Sequence, residues 1–462
     1  MSELDAKDRR IAELEARVAE LEEQVRQLLA RLGRNSINSS LPPSRDGQEA
    51  RNQRKRKGKS RRKRGGQKGH TKAERALLPV EDVDEVTEYV PTHCADCNAK
   101  LQGEDPAPER RQLTEIVKIE PRVVEARSHT LCCERCGSRT RAGFPEEYEH
   151  GAFGPNLWAA VCLLTGEYRM SKRNAQGLLR ELLGVDVALG SISKIEARAS
   201  KVLVSVQQEV LAHIRAAPSV NMDETSWTEG REKCWLWVAA TPSAAYYEIA
   251  EDRGSDVVVS ILGEDFGGVV CSDRAKAYLI ITPENRQACW FHLGRNFQSK
   301  IELGGEAAKF GEQMRAFEGR LFNAERLHNA GKITRASYEH RMTLVRGEMH
   351  RALVAWSTYE VDGIAGMCRN LLDLEPGLWN FIDNPAVEPT NNRAERDIRH
   401  PVVWRRSSFG TDSPSGSRYV GRILTAVRTC KKQGRRAFEY LADLFSASVH
   451  ASPLPRLLLD SS

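Results

Sequence analysis

Residues 219–250 read SVNMDETSWTEGREKCWLWVAATPSAAYYEIA, and their texture differs from everything before them. SVNMD, CWLWVAA and AYYEIA are short runs rich in Val, Trp and Tyr, separated by turn residues, which predicts three successive strands. GSDVVVSILGEDF (254–266) follows as a short helix, and GVVCSD (268–273) as a strand with a buried composition. QACWFHL (287–293) is a further apolar run. Trp227, Trp235, Trp237 and Trp290 are read as core-filling aromatics rather than as platforms for stacking bases.

Strand, strand, strand, helix, strand is the order of a ribonuclease-H-like core. Asp223 ends the first strand and Asp273 ends a later one; in such a sheet those strands are adjacent, so both carboxylates project to one point. Glu395 stands in TNNRAERDIR, where a helix begins after Asn391 and Asn392. Three hard oxygen donors at one point suit Mg2+, and two such ions about 4 Å apart serve phosphodiester chemistry. Each acid alone has a plainer reading, since an Asp at a strand end is commonly a turn or cap residue. Glu224, next along the strand, should face the other way. Asp397, two residues along the helix from Glu395, should lie on another side. His292 fits a place near the metal or a hydrogen-bonded core position equally well.

Outward from this core, residues 293–385 read as a charged helical insertion, and 386–462 as the C-terminal part carrying the Glu395 helix. Residues 150–218 read as helical, and LLRELLGVDVALGSISKIEARAS (178–200) has a helix-turn-helix outline that any helical hairpin would share. Arg396, Arg399, Arg405 and Arg406 follow Glu395 closely and are expected to contact phosphate.

Residues 76–149 hold Cys94-Ala-Asp-Cys97 and Cys133-Glu-Arg-Cys136, two CxxC pairs that predict four thiolates around one structural zinc. Asn98 and Gly137 follow the pairs and tolerate the positive φ of a tight knuckle. Between the pairs, TEIVKIEPRVVEARSHTL reads as two alternating strands around Pro121.

The chain has 462 residues, 40% hydrophobic and 29% charged, with a mean hydropathy of −0.50. No apolar run approaches the roughly 20 residues of a membrane-spanning helix. With no secretory leader in view, the expected compartment is the cytoplasm, and the 11 cysteines are read as thiols or metal ligands. The net charge of +6 hides an asymmetry. Residues 51–72 contain 12 Lys or Arg and no acid, so the remainder carries −6. That tract, with Arg61, Arg62, Lys63 and Arg64 at its densest point, is read within a flexible linker (35–75) as an arm that neutralises nucleic-acid phosphates without sequence selectivity. Ahead of it, Ile11, Val18 and Val25 alternate with Leu14, Leu21 and Leu28 at a and d positions. This seam predicts a parallel two-stranded coil over 1–34, hence at least a homodimer.

NSINSSLPPSRD, RGGQKGH, the paired CxxC knuckles, NMDETSW, CSDRAKAY, CWFHLGRNF and TNNRAERDIRHPVVWRRSSFG occur in this order, and together the chain resembles the insertion sequence 66 family of bacterial DDE transposases. The resemblance implies that Asp223, Asp273 and Glu395 match the family's acidic triad, using two Mg2+ or Mn2+ ions. It also implies zinc-binding and helix-turn-helix-like domains ahead of a ribonuclease-H-like core with its helical insertion. Arg393 and His400 fill motif positions where other residues are usual, and neither removes a ligand. The implied activity is metal-dependent cleavage at element ends followed by strand transfer. The implied partner is double-stranded DNA (terminal inverted repeats and target), and the need for accessory proteins is left open by the sequence. A DNA-binding regulator derived from such an enzyme, without cleavage, is the alternative, and a nuclease without joining activity is a third reading.

Overall fold

The computed structural model describes residues 75–148, 151–361 and 363–459, with isolated positions before residue 49. Leu14, Val18 and Leu21 of the seam are among those positions; they are helical and half exposed. The rest of the seam and the basic arm, with Arg61, Arg62, Lys63 and Arg64, lie outside the described residues.

Two short strands, β1 (Thr130–Cys132) and β2 (Arg139–Arg141), pair antiparallel around the second CxxC pair. The two strands expected around Pro121 are not formed. Leu113, Ile116, Val117 and Val123 are all strongly exposed, because an alternating pattern makes a strand only where a neighbour and a covering layer receive it.

Helices α1 (Pro155–Cys162), α2 (Lys172–Leu183) and α3 (Leu189–Ala216) come next, with a π-turn over Leu163–Glu167 between the first two. Ser171 caps α2 by accepting from the Asn174 amide, and left-handed Gly184 ends it. The apolar stripe of α3 (Ile192, Ile195, Ala199, Leu203, Val206, Val210, Ile214) is fully buried, in one cluster with Val220, Met222, Trp237 and Tyr246 of the sheet. Residues 150–218 are therefore a layer of the core. The α2–α3 pair is the helical hairpin read over 178–200, and the apolar stripe of its second helix packs on the sheet.

The main sheet has five strands: β3 (Ser219–Glu229), β4 (Glu232–Ala240), β5 (Ala245–Ala250), then, after α4 (Ser255–Leu262), β6 (Val269–Ser272) and β7 (Arg286–Ala288). Their order is β5-β4-β3-β6-β7, antiparallel from β5 to β3 and parallel from β3 to β7. The run QACWFHL is not one strand. It pairs only as far as Ala288, and with Cys289 as N-cap it turns into α5 (Trp290–Ile301).

From α5 the chain continues as α6 (Gly305–Asn329), α7 (Arg335–Trp356), α8 (Ile364–Asp373) and α9 (Pro376–Asp383) around a second cluster that includes Trp290, Phe297, Phe310, Met342 and Trp379. Helices α10 (Asn392–Ser408), α11 (Pro414–Lys432) and α12 (Ala437–Val449) close the fold. Side chains alternate across the sheet. Trp237 and Ala239 face the α3 cluster, whereas Leu236, Val238 and Tyr247 join Ala394, Ile398 and Trp404 of α10 in a third cluster. The sheet thus lies between two helical layers, with α10 on the opposite side from α3.

Candidate active site

Register places the first two acids. Asn221 of β3 pairs with Cys271 of β6 in parallel, so Asp223 and Asp273, each two residues further on, are level across adjacent strands. Asp223 also lies opposite Val238, which belongs to the face covered by α10. Glu395 sits in the first turn of α10, where an acid complements the helix dipole. Glu395 thus joins the two aspartates at the same end of the sheet, close enough for both to act on the charge of Asp223, although the three carboxylates do not lie within 4.8 Å of one another.

Their mutual charge is evident. Asp223 is pushed well above the usual carboxylate range, first by burial and then by the charges of Glu224, Asp273 and Glu395, against a hydrogen bond from the Glu224 amide at 2.9 Å. Asp273 Oδ1 accepts from the Ala275 amide at 2.8 Å, and Arg286 Nη2 and Ser272 Oγ donate to the Asp273 carbonyl, fixing the turn beyond β6. Glu395 Oε1 is buried with no hydrogen-bond partner.

The two neighbouring acids have other partners. Glu224 lies opposite Trp237, on the far face of the sheet; it pairs with Arg253 at 2.5 Å and accepts from Tyr278 Oη at 2.7 Å. Asp397 is buried against Lys432 at 2.8 Å, with Arg428 at 3.7 Å.

Asn391 joins the strand to the helix. It is the N-cap residue of α10, yet its side chain makes no capping bond. Instead Nδ2 donates to the Met222 carbonyl at 2.6 Å and Oδ1 accepts from Asn221 Nδ2 at 3.1 Å, beside Asp223. Arg393 braces the clasp from Asn221 to Glu388, and His400 contacts the Glu167 carbonyl at 2.7 Å. Pro401 inside α10 has no N–H for the Asp397 carbonyl, and Tyr247 Oη donates to that carbonyl at 3.1 Å.

His292 lies beside the triad. Its Nδ1 is 3.6 Å from Glu395 Oε1, and like that oxygen it is buried without a hydrogen-bond partner. Burial, reinforced by Arg295 and opposed by Asp273, pushes His292 down to about 4, so it is neutral at pH 7. Among the described residues, Cys289, His292 and Glu395 form the one group of three or more metal-type donors within 4.8 Å of one another. Cys289-Trp-Phe-His292 is a close spacing that the sequence displays, but the third member, Glu395, is more than 100 residues away.

The arginines after Glu395 divide. Arg396, Arg399 and Arg406 are exposed on α10. Arg405 is not available as expected: it turns inward to Thr225 Oγ1 at 3.0 Å, Ser226 Oγ at 2.6 Å and the Ser226 carbonyl, tying α10 to β3.

The CxxC pairs form matching knuckles. The Asn98 amide donates to the Cys94 carbonyl at 3.0 Å and the Gly137 amide to the Cys133 carbonyl at 2.8 Å, with φ of 57° and 72° at Asn98 and Gly137. Backbone hydrogen bonds push the Cys94 thiol down, chiefly from Cys97 and Asp96, and Cys136 is lowered chiefly by Ser138. The two knuckles do not gather three sulfurs within 4.8 Å.

Residues 150–419, more than half of the chain, match the Transposase IS66 family, and residues 1–76 match a family of unknown function, DUF6444. The match to the transposase family contains all three acids; the CxxC pairs lie between the two matched stretches. The chain is 27% identical over 422 residues to the uncharacterized protein y4hP of Sinorhizobium fredii (strain NBRC 101917 / NGR234), covering 79% of this chain and 72% of that one. It is 22% identical over 413 residues to the uncharacterized protein y4qI of the same organism, covering 81% and 74%.

Proposed function

The chain belongs to the IS66 family of transposases, and on that premise we propose that it cleaves the 3′ ends of an insertion element and joins them to target DNA. The observation that carries this reading is the β3–β6 register, which brings Asp223 level with Asp273 on the face where α10 presents Glu395. The strand order, three antiparallel strands followed by two parallel ones, supports a ribonuclease-H-like core.

Asp223, Asp273 and Glu395 would hold two Mg2+ or Mn2+ ions. The donor set fits: it is all oxygen, Glu395 Oε1 is buried and unpartnered, and Asp223 is raised by its own neighbours. Ions bound there supply Lewis-acid stabilisation of charge on the scissile phosphate and activate the attacking oxygen. The protein's share is preorganisation. The Asn221–Asn391 clasp ties β3 to α10 and the Ala275 amide holds Asp273, so the ions would bind on a backbone that is already fixed.

Arg396, Arg399 and Arg406 line the exposed side of α10 and would lie along the DNA backbone. The 51–72 arm, including Arg61, Arg62, Lys63 and Arg64, adds sequence-independent affinity. The 1–34 seam would pair two copies, so that two element ends are held together. Zinc at Cys94, Cys97, Cys133 and Cys136 would draw the two knuckles into one ribbon.

The test is cleavage and joining of DNA bearing the element's terminal repeats, with Mg2+ and with a chelator. Nicking at the repeat boundary followed by joined products supports the reading. Repeat binding with no cleavage under any divalent ion supports the regulator instead.

A further inference from the structure

Cys289 is the N-cap of α5 and His292 lies in its first turn, and a ligand atom of each comes within 4.8 Å of Glu395 in the first turn of α10. The two helix starts are tied together: the Asn391 amide donates to Cys289 Sγ at 3.2 Å. Glu395 thus belongs to two donor sets. With Asp223 and Asp273 it makes the all-oxygen set of the proposed Mg2+ centre; with Cys289 and His292 it forms a sulfur, nitrogen and oxygen group within 4.8 Å.

The two sets prefer different ions. Carboxylates and water suit Mg2+ and Mn2+, whereas thiolate with imidazole selects Zn2+ and its thiophilic relatives. The geometry is near that of a zinc site. Tetrahedral zinc with bonds of about 2.1 Å has ligands about 3.4 Å apart, and His292 Nδ1 is 3.6 Å from Glu395 Oε1. Both atoms are buried and neither has a hydrogen-bond partner, whereas a histidine placed only for packing would turn its ring nitrogen to a donor or acceptor.

We propose that Cys289, His292 and Glu395 form an inhibitory site for a thiophilic divalent ion such as Zn2+, which takes Glu395 away from the Mg2+ centre. The proposal rests on the reading of Glu395 as a Mg2+ ligand. Occupation of one set costs the other its carboxylate, so zinc and magnesium compete although their remaining ligands differ.

The experiment uses the full-length, metal-stripped protein and Co2+ as an optical probe of thiolate coordination. Wild type should bind one more Co2+ per chain than Cys289→Ser or His292→Ala, while Cys97→Ser loses only the ion of the CxxC pairs. Serine keeps an acceptor for the Asn391 amide, and matching thermal melts establish that the variant is folded. Equal Co2+ stoichiometry in wild type and both site variants overturns the proposal. In the second arm, Zn2+ is titrated into Mg2+-supported cleavage. Relative to its own zinc-free rate, Cys289→Ser should need about tenfold more Zn2+ for half inhibition, since even groups supporting a metal ligand are worth about 10- to 100-fold in affinity. Unchanged zinc sensitivity also overturns it. If wild type does not cleave at all, the proposed function fails, and the Co2+ count still decides the site.

Discussion

Asn221 and Asn391 hydrogen-bond side chain to side chain at 3.1 Å, joining β3 two residues before Asp223 to α10 four residues before Glu395. Both are buried, and Asn391 also donates to the Met222 carbonyl. Asn391→Ala should destabilise the fold by about 1–3 kcal/mol, the usual cost of leaving buried polar partners unmet. It should also weaken Mg2+ binding although no ligand is touched. Thermal unfolding with a Mg2+ titration checks both effects; unchanged Mg2+ affinity would remove the clasp from the account of the site.

Asp223 gives a pH dependence with a definite sign. Its folded pKa is raised, so the native state keeps the proton to higher pH than the unfolded chain does. That contribution to stability is complete below the unfolded value, near 3.9, and is lost as pH rises through the folded one. Metal-free wild type should therefore lose stability over that interval. Asp223→Asn should remove the loss, melt higher than wild type at neutral pH without metal, and show no stabilisation by Mg2+. Paired melting curves with and without Mg2+ measure this.

Tyr247 and Pro401 make a testable pair. Tyr247→Phe should cost about 1–3 kcal/mol by orphaning the Asp397 carbonyl. Adding Pro401→Ala restores an in-helix amide to that carbonyl, so the double variant should recover part of the loss. A double-mutant cycle with no coupling would contradict the assignment.

For the knuckles, Cys97→Ser should abolish the zinc of residues 76–149, and metal analysis of purified wild type and variant reads it directly. Equal zinc content in the two would show that these cysteines are not its ligands.

Asp273 was legible in the sequence because CSD closes an apolar run just where β6 ends, whereas Asp223, expected to end its strand, stands inside β3, which runs on to Glu229. The asparagine clasp was not legible, since Asn221 and Asn391 are joined by tertiary geometry and each looks locally like a turn or cap residue. Composition left QACWFHL undivided, an apolar run that spans a strand end and a helix start with the break at Cys289. Arg405 reads like Arg406 in sequence, and only helical phase turns one toward β3 and the other outward. The stripe of α3 was visible; that the sheet is its partner depends on which layer receives it.

The central claim is that Asp223, Asp273 and Glu395 act together as one metal-dependent centre. The most direct measurement is Mg2+-dependent cleavage of terminal-repeat DNA by Asp273→Asn, with DNA binding measured on the same preparation. Asn keeps the size of the side chain and removes its charge, so binding and folding should persist while cleavage falls to background. Substantial Mg2+-dependent cleavage by this variant would contradict the account.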